Sequence, residues 1–105
     1  MTDAQFDITT GVPGAGAVLG ISGEIDLANV EDLTSALLEA AGVADGPVVV
    51  DLTGVRFLGS AGIRALFTHA LRHPTELVVP DDGVVASVVA LSGLGQVARV
   101  SPACG

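Results

Sequence analysis

Ser60 stands in Gly59-Ser60-Ala61-Gly62, where little side-chain bulk surrounds its hydroxyl. Such a hydroxyl can serve as a nucleophile, as a phosphate acceptor or as a helix cap. A nucleophile needs a base within hydrogen-bonding reach. The only histidines, His69 and His73, fall further along the same expected helix, roughly 13–20 Å away at 1.5 Å per residue. Leu58-Gly59-Ser60-Ala61-Gly62 also lacks the first glycine of G-x-S-x-G. Hydrolase chemistry therefore fails on geometry. The i, i+4 spacing of the two histidines suits a shared metal, but no glutamate adjoins His69 and no third ligand is evident. Solvent-facing histidines near a helix C-terminus are the expectation, with no metal and no cofactor. The adjacent carboxylates Asp81 and Asp82 read as a solvated cap to a helix beginning at Val84. Gly14-Ala15-Gly16 resembles the start of a dinucleotide-binding fingerprint, but its third glycine is out of register and a strand follows where a helix should open.

The elements that hold Ser60 are read from the periods on either side of it. Val48-Val49-Val50 is an apolar, β-branched run, which predicts a strand buried on both faces. Thr53-Gly54 reads as a turn pair, followed by Val55–Leu58. From Ile63 the apolar residues Leu66, Phe67, Ala70 and Leu71 follow a 3.6-residue period, which predicts a helix. Ser60 falls between strand and helix, at the expected N-cap. The first amides of a helix lack internal partners and carry the positive end of its dipole, so they favour a neighbouring anion.

Before this stretch, Phe6–Thr10 and Ala17–Ser22 read as an edge hairpin joined by a glycine-rich turn. A helix is expected near residues 28–41, with Val30, Leu33, Leu37, Leu38 and Ala41 on its apolar side. Asp26 precedes it, as a helix-capping acid would. After His73-Pro74, which ends the second helix, come a strand at Glu76–Val79, a helix from Val84 to about Leu91, and a last strand at Gln96–Val100. Gly93 suits a helix C-terminus. Strands alternating with helices predict an α/β fold with a mixed, mostly parallel sheet and βα crossovers.

Gly23-Glu24-Ile25-Asp26-Leu27 and Asp51-Leu52-Thr53-Gly54-Val55, the latter continuing to Phe57-Leu58-Gly59-Ser60-Ala61-Gly62-Ile63, together resemble the signature of the STAS domain. More narrowly, they resemble the anti-sigma factor antagonists (anti-anti-sigma factors) of bacterial stress and sporulation switches. The resemblance extends from about Phe6 to Ser101 and implies one STAS domain over 1–105, with its core at about 6–101. It implies a non-enzymatic protein that binds an anti-sigma factor serine kinase and is released on phosphorylation. The phosphorylated serine of the family maps onto Ser60. Asp26, Gly59, Ser60, Ala61, Gly62 and Arg64 become the partner-binding candidates, and a phosphatase a possible second partner. The departure is Gly59, where the family usually has aspartate. It leaves open a module that docks constitutively on a partner ATPase, such as that of a lipid-transport complex, with Ser60 only a cap.

The 105 residues carry twelve acidic and four basic side chains, a formal charge of −8. Such a surface repels nucleic-acid phosphates and anionic membranes. Tyr and Trp are absent, which removes the usual base-stacking platforms. Half the residues are apolar, enough for a core and too many for a disordered chain. A chain of this length is expected to bury roughly 60–70% of its unfolded surface. No uncharged segment reaches the roughly 18 apolar residues of a membrane span; the longest candidate, 83–98, is broken by Ser87, Ser92, Gly93, Gly95 and Gln96, so no membrane insertion is expected. Asp3 and Asp7 do not fit a secretory signal. The single cysteine, Cys104, cannot form an internal disulfide. A cytoplasmic location is the resulting expectation.

Overall fold

The computed structural model describes residues 3–11 and 16–102. Residues 12–15 of the expected hairpin turn, and Cys104, lie outside the described residues. Five strands form one sheet in the order β1-β2-β3-β4-β5. They are β1 (Ala4–Thr10), β2 (Ala17–Ile25), β3 (Val48–Leu58), β4 (Thr75–Val79) and β5 (Arg99–Pro102). The first pair is antiparallel, with Phe6 opposite Ile21; the remaining three pairs are parallel, with Leu19 beside Val50 and Val50 beside Leu77. Helices α1 (Val30–Val43), α2 (Ser60–Arg72) and α3 (Val84–Ser92) link successive parallel strands. This is the expected mixed α/β sheet with its N-terminal hairpin at one edge.

Burial alternates along the central strands. Ala17, Leu19 and Ile21 of β2, Val48, Val50 and Leu52 of β3, and Leu77 and Val79 of β4 are buried, whereas Val18, Val49 and Val78 between them are intermediate. The valine run of β3 is therefore fully buried on one face only, contrary to the two-sided burial expected from its composition. Period-two packing places Val48 and Val50 in the core and Val49 on the half-open side. Leu33, Ala36, Leu37 and Ala40 of α1, Leu66 of α2 and Val85 and Val89 of α3 complete the core. Each large aliphatic side chain buried in it contributes about 1.5–3 kcal/mol.

Thr53-Gly54 does not turn the chain; β3 runs on for 11 residues. One extra β3 residue is accommodated between the pairs Gly20–Asp51 and Ser22–Gly54, and another between Gly23–Val55 and Glu24–Phe57. These are β-bulges, which re-aim a strand without ending it. The Asp51 carboxylate holds the first by accepting from the Thr53 N–H at 2.9 Å and the Thr53 hydroxyl at 2.7 Å. Glycine fits at 54 because a Cβ there would stand 3.0 Å from the Ser22 Cβ and 3.1 Å from the Ile21 carbonyl oxygen.

Other boundaries shift by tertiary context. α1 starts at Val30 rather than Ala28, and Leu38, expected on its apolar side, is 67% exposed. Leu71 of α2 is also exposed. β5 begins at Arg99, because Leu94–Gln96 forms a 3₁₀ turn. Gly83, not Asp81 or Asp82, is the N-cap of α3, and no side chain caps that helix. Gly93 ends α3 in the left-handed region at φ 84°, as its type predicts.

Candidate functional site

The C-terminal ends of β2 and β3 bring the two signature segments together. Leu58 pairs with Ile25, and the next residue, Gly59, donates its N–H to the Ile25 carbonyl at 2.8 Å. A Cβ on Gly59 would lie 3.4 Å from that carbonyl oxygen, 3.7 Å from the Asp26 Cα and 3.3 Å from the Phe57 ring. The Asp26 and Ser60 segments thus lie side by side. Gly62 closes the corner from below. It is buried, and a Cβ would stand 2.7 Å from both Ile25 Cγ2 and Leu58 Cδ1. Only a residue without a side chain lets α2 sit this close to both strand ends.

Gly59, at φ −78° and ψ 173°, is the N-cap of α2, and its carbonyl accepts the first helical hydrogen bond from Ile63 N–H at 3.1 Å. Ser60 is therefore the first helical residue and not the cap expected from its type. Its side chain is exposed, and the cap position itself, Gly59, offers no side chain to the helix end. The first turn of α2 holds no acidic residue. Its free N–H groups and the helix dipole make this end receptive to negative charge. Ala61 and Arg64 follow on the same helix, with Arg64 exposed.

Asp26 does not cap α1 directly. Its Oδ1 accepts from the Ala28 N–H at 2.9 Å, while its own N–H donates to Asn29 Oδ1 at 3.0 Å. The Asn29 amide nitrogen donates to the Glu24 carbonyl at 2.8 Å, and its backbone N–H to the Asp26 carbonyl at 3.2 Å. Asn29 clasps the loop that displays Asp26, a role missed by sequence reasoning. An asparagine just before the first apolar residue of a helix was the available signal. Exposed apolar side chains flank the site: Leu27 at 81% and Phe57 at 47%. The Glu24–Arg56 pair at 3.8 Å is solvated, and such pairs contribute little.

His69 and His73 lie apart from this corner, toward the other end of α2. His69 is buried at 9% exposure, not solvent-facing, because that side of α2 turns inward toward α1. Its Nε2 has no hydrogen-bond partner among the described residues. Burial, and then the neighbouring His73, hold its pKa below the usual histidine value. The two ring centroids are 5.7 Å apart, and His73 Nε2 lies 3.4 Å from the Gly46 carbonyl oxygen. Among the described residues no group of three or more His, Cys, Asp and Glu could hold a metal ion. No helix there is long and apolar enough to cross a membrane.

Comparison with known proteins fits this geometry. The family profile described as "Mlab, STAS domain" matches residues 8–100. The anti-sigma-F factor antagonist RsfB of Mycobacterium tuberculosis is 50% identical over 52 residues, 48% of this chain and 41% of that protein. The matched part thus spans about two fifths of that relative's length. A putative anti-anti-sigma factor of the same species is 32% identical over 100 residues, 90% of this chain and 68% of its own length. An anti-sigma factor antagonist from Mycobacterium paratuberculosis has the same fold, with a TM-score of 0.82 over 93% of this chain and 85% of that one at 22% identity. The unphosphorylated antagonist SpoIIAA gives 0.69 over 92% and 88% at 21% identity. The profile match covers nearly the whole described sheet and both signature segments, and the chain belongs to the STAS-domain family.

Proposed function

We propose that this protein is an anti-sigma factor antagonist: it binds an anti-sigma factor serine kinase while Ser60 is free and is released when Ser60 is phosphorylated. The carrying observation is the exposed Ser60 side chain at the first position of α2, beside the Asp26 loop. Asp26, Gly59, Ser60, Ala61 and Arg64 form the contact, with Gly59 allowing close approach; Gly62, buried beneath them, seats α2 on the strand ends and does not itself reach a partner. The protein acts by binding rather than catalysis, in the cytoplasm, and a phosphatase would reset it. The relatives named above support the antagonist role.

A phosphate on Ser60 adds about −1.5 to −2 charges and three acceptor oxygens. The α2 terminus accommodates that charge, so the fold need not change. A partner packed on the same corner must instead desolvate it. An uncompensated buried charge costs several kcal/mol, enough to dissociate a micromolar complex. The test is incubation with the candidate kinase and ATP, followed by intact-mass measurement of wild type and Ser60→Ala. One added phosphate in wild type and none in the variant is expected; a phosphate on both would place the modification elsewhere.

Gly59 favours a second reading, because no carboxylate precedes Ser60. In it the module docks constitutively on a partner ATPase, such as a transport ATPase, and Ser60 stays unmodified. Copurification with transporter subunits, and no phosphate on Ser60 in cells, would select it.

A further inference from the structure

Helices α1 and α2 leave a groove of about 730 Å³ between them. Its volume lies within the range of small-molecule pockets, roughly 300–1,000 Å³. The α1 wall is apolar apart from Thr34: Val30, Leu37, Leu38 and Ala41 line it, with Leu27 near one end. The α2 wall is cationic. Arg64 and Arg72, two of the chain's four basic residues, line the groove together with both histidines. None of the twelve acidic residues does. In a chain of net charge −8, that segregation makes the groove a local sink for negative charge.

A second observation comes from His69. It lines the groove, is nine-tenths buried, and leaves Nε2 without a hydrogen-bond partner among the described residues. Buried polar atoms are ordinarily satisfied, so an orphan beside a pocket calls for a partner; Nε2 is closed to solvent, and a group bound in the groove would reach it only with a small turn of the ring. His69, Arg72 and His73 stand at i, i+3 and i+4 of one helix and so share one face of α2 toward one end of the groove. Arg64 lies eight residues back, about 12 Å at 1.5 Å per residue.

We propose that the α1–α2 groove binds a small amphipathic anion, a medium-chain acyl carboxylate, with its head at Arg72, His69 and His73 and its tail along Val30, Leu37 and Leu38. The head meets the Arg72 guanidinium, whose charge no acid lining the groove neutralises. The tail covers Leu38, which is otherwise 67% exposed. Ser60 and Ala61 line the groove's far end, so a bound ligand would lie next to the proposed partner contact. The binding itself does not depend on whether Ser60 is phosphorylated.

The test uses the whole chain and octanoate at low ionic strength, followed by calorimetry and amide chemical shifts. Saturable one-to-one binding is expected, with shifts gathered on α1 and α2. Octanol, which has the tail without the charge, should bind at least about tenfold more weakly. Arg72→Gln should weaken octanoate by a similar factor while melting at the wild-type temperature, since Arg72 is exposed. Absence of saturable binding, shifts away from the two helices, or equal affinity of Arg72→Gln would each overturn the proposal. So would binding to phosphatidylglycerol vesicles, or to an acidic amphipathic peptide, without binding of octanoate.

Discussion

The Gly59 N–H and the Ile25 carbonyl, 2.8 Å apart, join the two signature segments through backbone alone. Beyond the paired Leu58 and Ile25, this one bond carries the ladder into the loop and sets where α2 begins. The position of Ser60 relative to Asp26 therefore follows from strand register rather than from contact between their side chains. Substitutions that disturb the corner should change partner binding even when neither Asp26 nor Ser60 is altered.

Gly62→Ala tests how tightly the corner is packed. The added methyl would meet Ile25 and Leu58 at 2.7 Å, deep enough that neither side chain can swing into solvent. Overpacking of this kind costs about 1–3 kcal/mol, against a gain of under about 1 kcal/mol in helix propensity. A net loss of about 1–2 kcal/mol is expected in chemical denaturation. A variant as stable as wild type would mean that α2 can shift outward without penalty.

Gly59→Asp should behave differently. At φ −78° the backbone accepts any residue, and the Cβ's nearest neighbour is the half-exposed Phe57 ring, which can yield a few tenths of an ångström. Stability within about 0.5 kcal/mol of wild type is expected. If a carboxylate before Ser60 assists the proposed kinase, the variant should be phosphorylated faster than wild type in the intact-mass assay. An unchanged rate would assign Gly59 no part in kinase recognition.

Asn29→Ala removes both side-chain bonds that clasp the Asp26 loop. Each such bond is worth about 0.5–1.5 kcal/mol, so a loss of about 1–2 kcal/mol is expected. The loss should be local: hydrogen exchange at the Asp26 amide should accelerate well before that of the Leu19 or Val50 amides in the sheet. Asn29→Asp keeps the acceptor and loses the donor, and should fall between the two. Uniform acceleration across the sheet would show that Asn29 supports the whole fold instead.

These contrasts also mark what a sequence can reveal. The alternation of apolar and polar residues in β1, the valine run of β3 and the 3.6-residue period of α2 are local patterns, and each produced its element. The adjacency of Asp26 and Ser60 came from the resemblance, because register between β2 and β3 is not written in either strand alone. Thr53-Gly54 misled for a related reason: the pair is a turn signal by itself, and only the neighbouring Ile21-Ser22 segment makes it a bulge. Leu38 and Leu71 lie on apolar stripes wider than the contacts that bury them. His69 went the other way, since burial of a polar residue depends on which face of α2 meets α1, and the spacing of the apolar positions did not mark it.

The burial of His69 has a consequence for pH. An unfolded histidine titrates near 6.5, whereas burial and the His73 charge lower the pKa of His69 in the folded chain. Above pH 6.5 both states hold it neutral, and it contributes no pH dependence. As pH falls through 6.5, the unfolded chain takes up a proton that the folded chain refuses, so stability drops. The loss stops growing once pH passes below the folded pKa, where both states are charged. His69→Gln removes the titration and should flatten this part of the stability curve, whatever it does to stability at pH 8. Urea denaturation of both proteins between pH 8 and 5 separates the two effects. A wild-type curve that falls no more steeply than the variant's below pH 6.5 would mean that His69 is protonated in place, with its orphan Nε2 finding water or an anion in the groove.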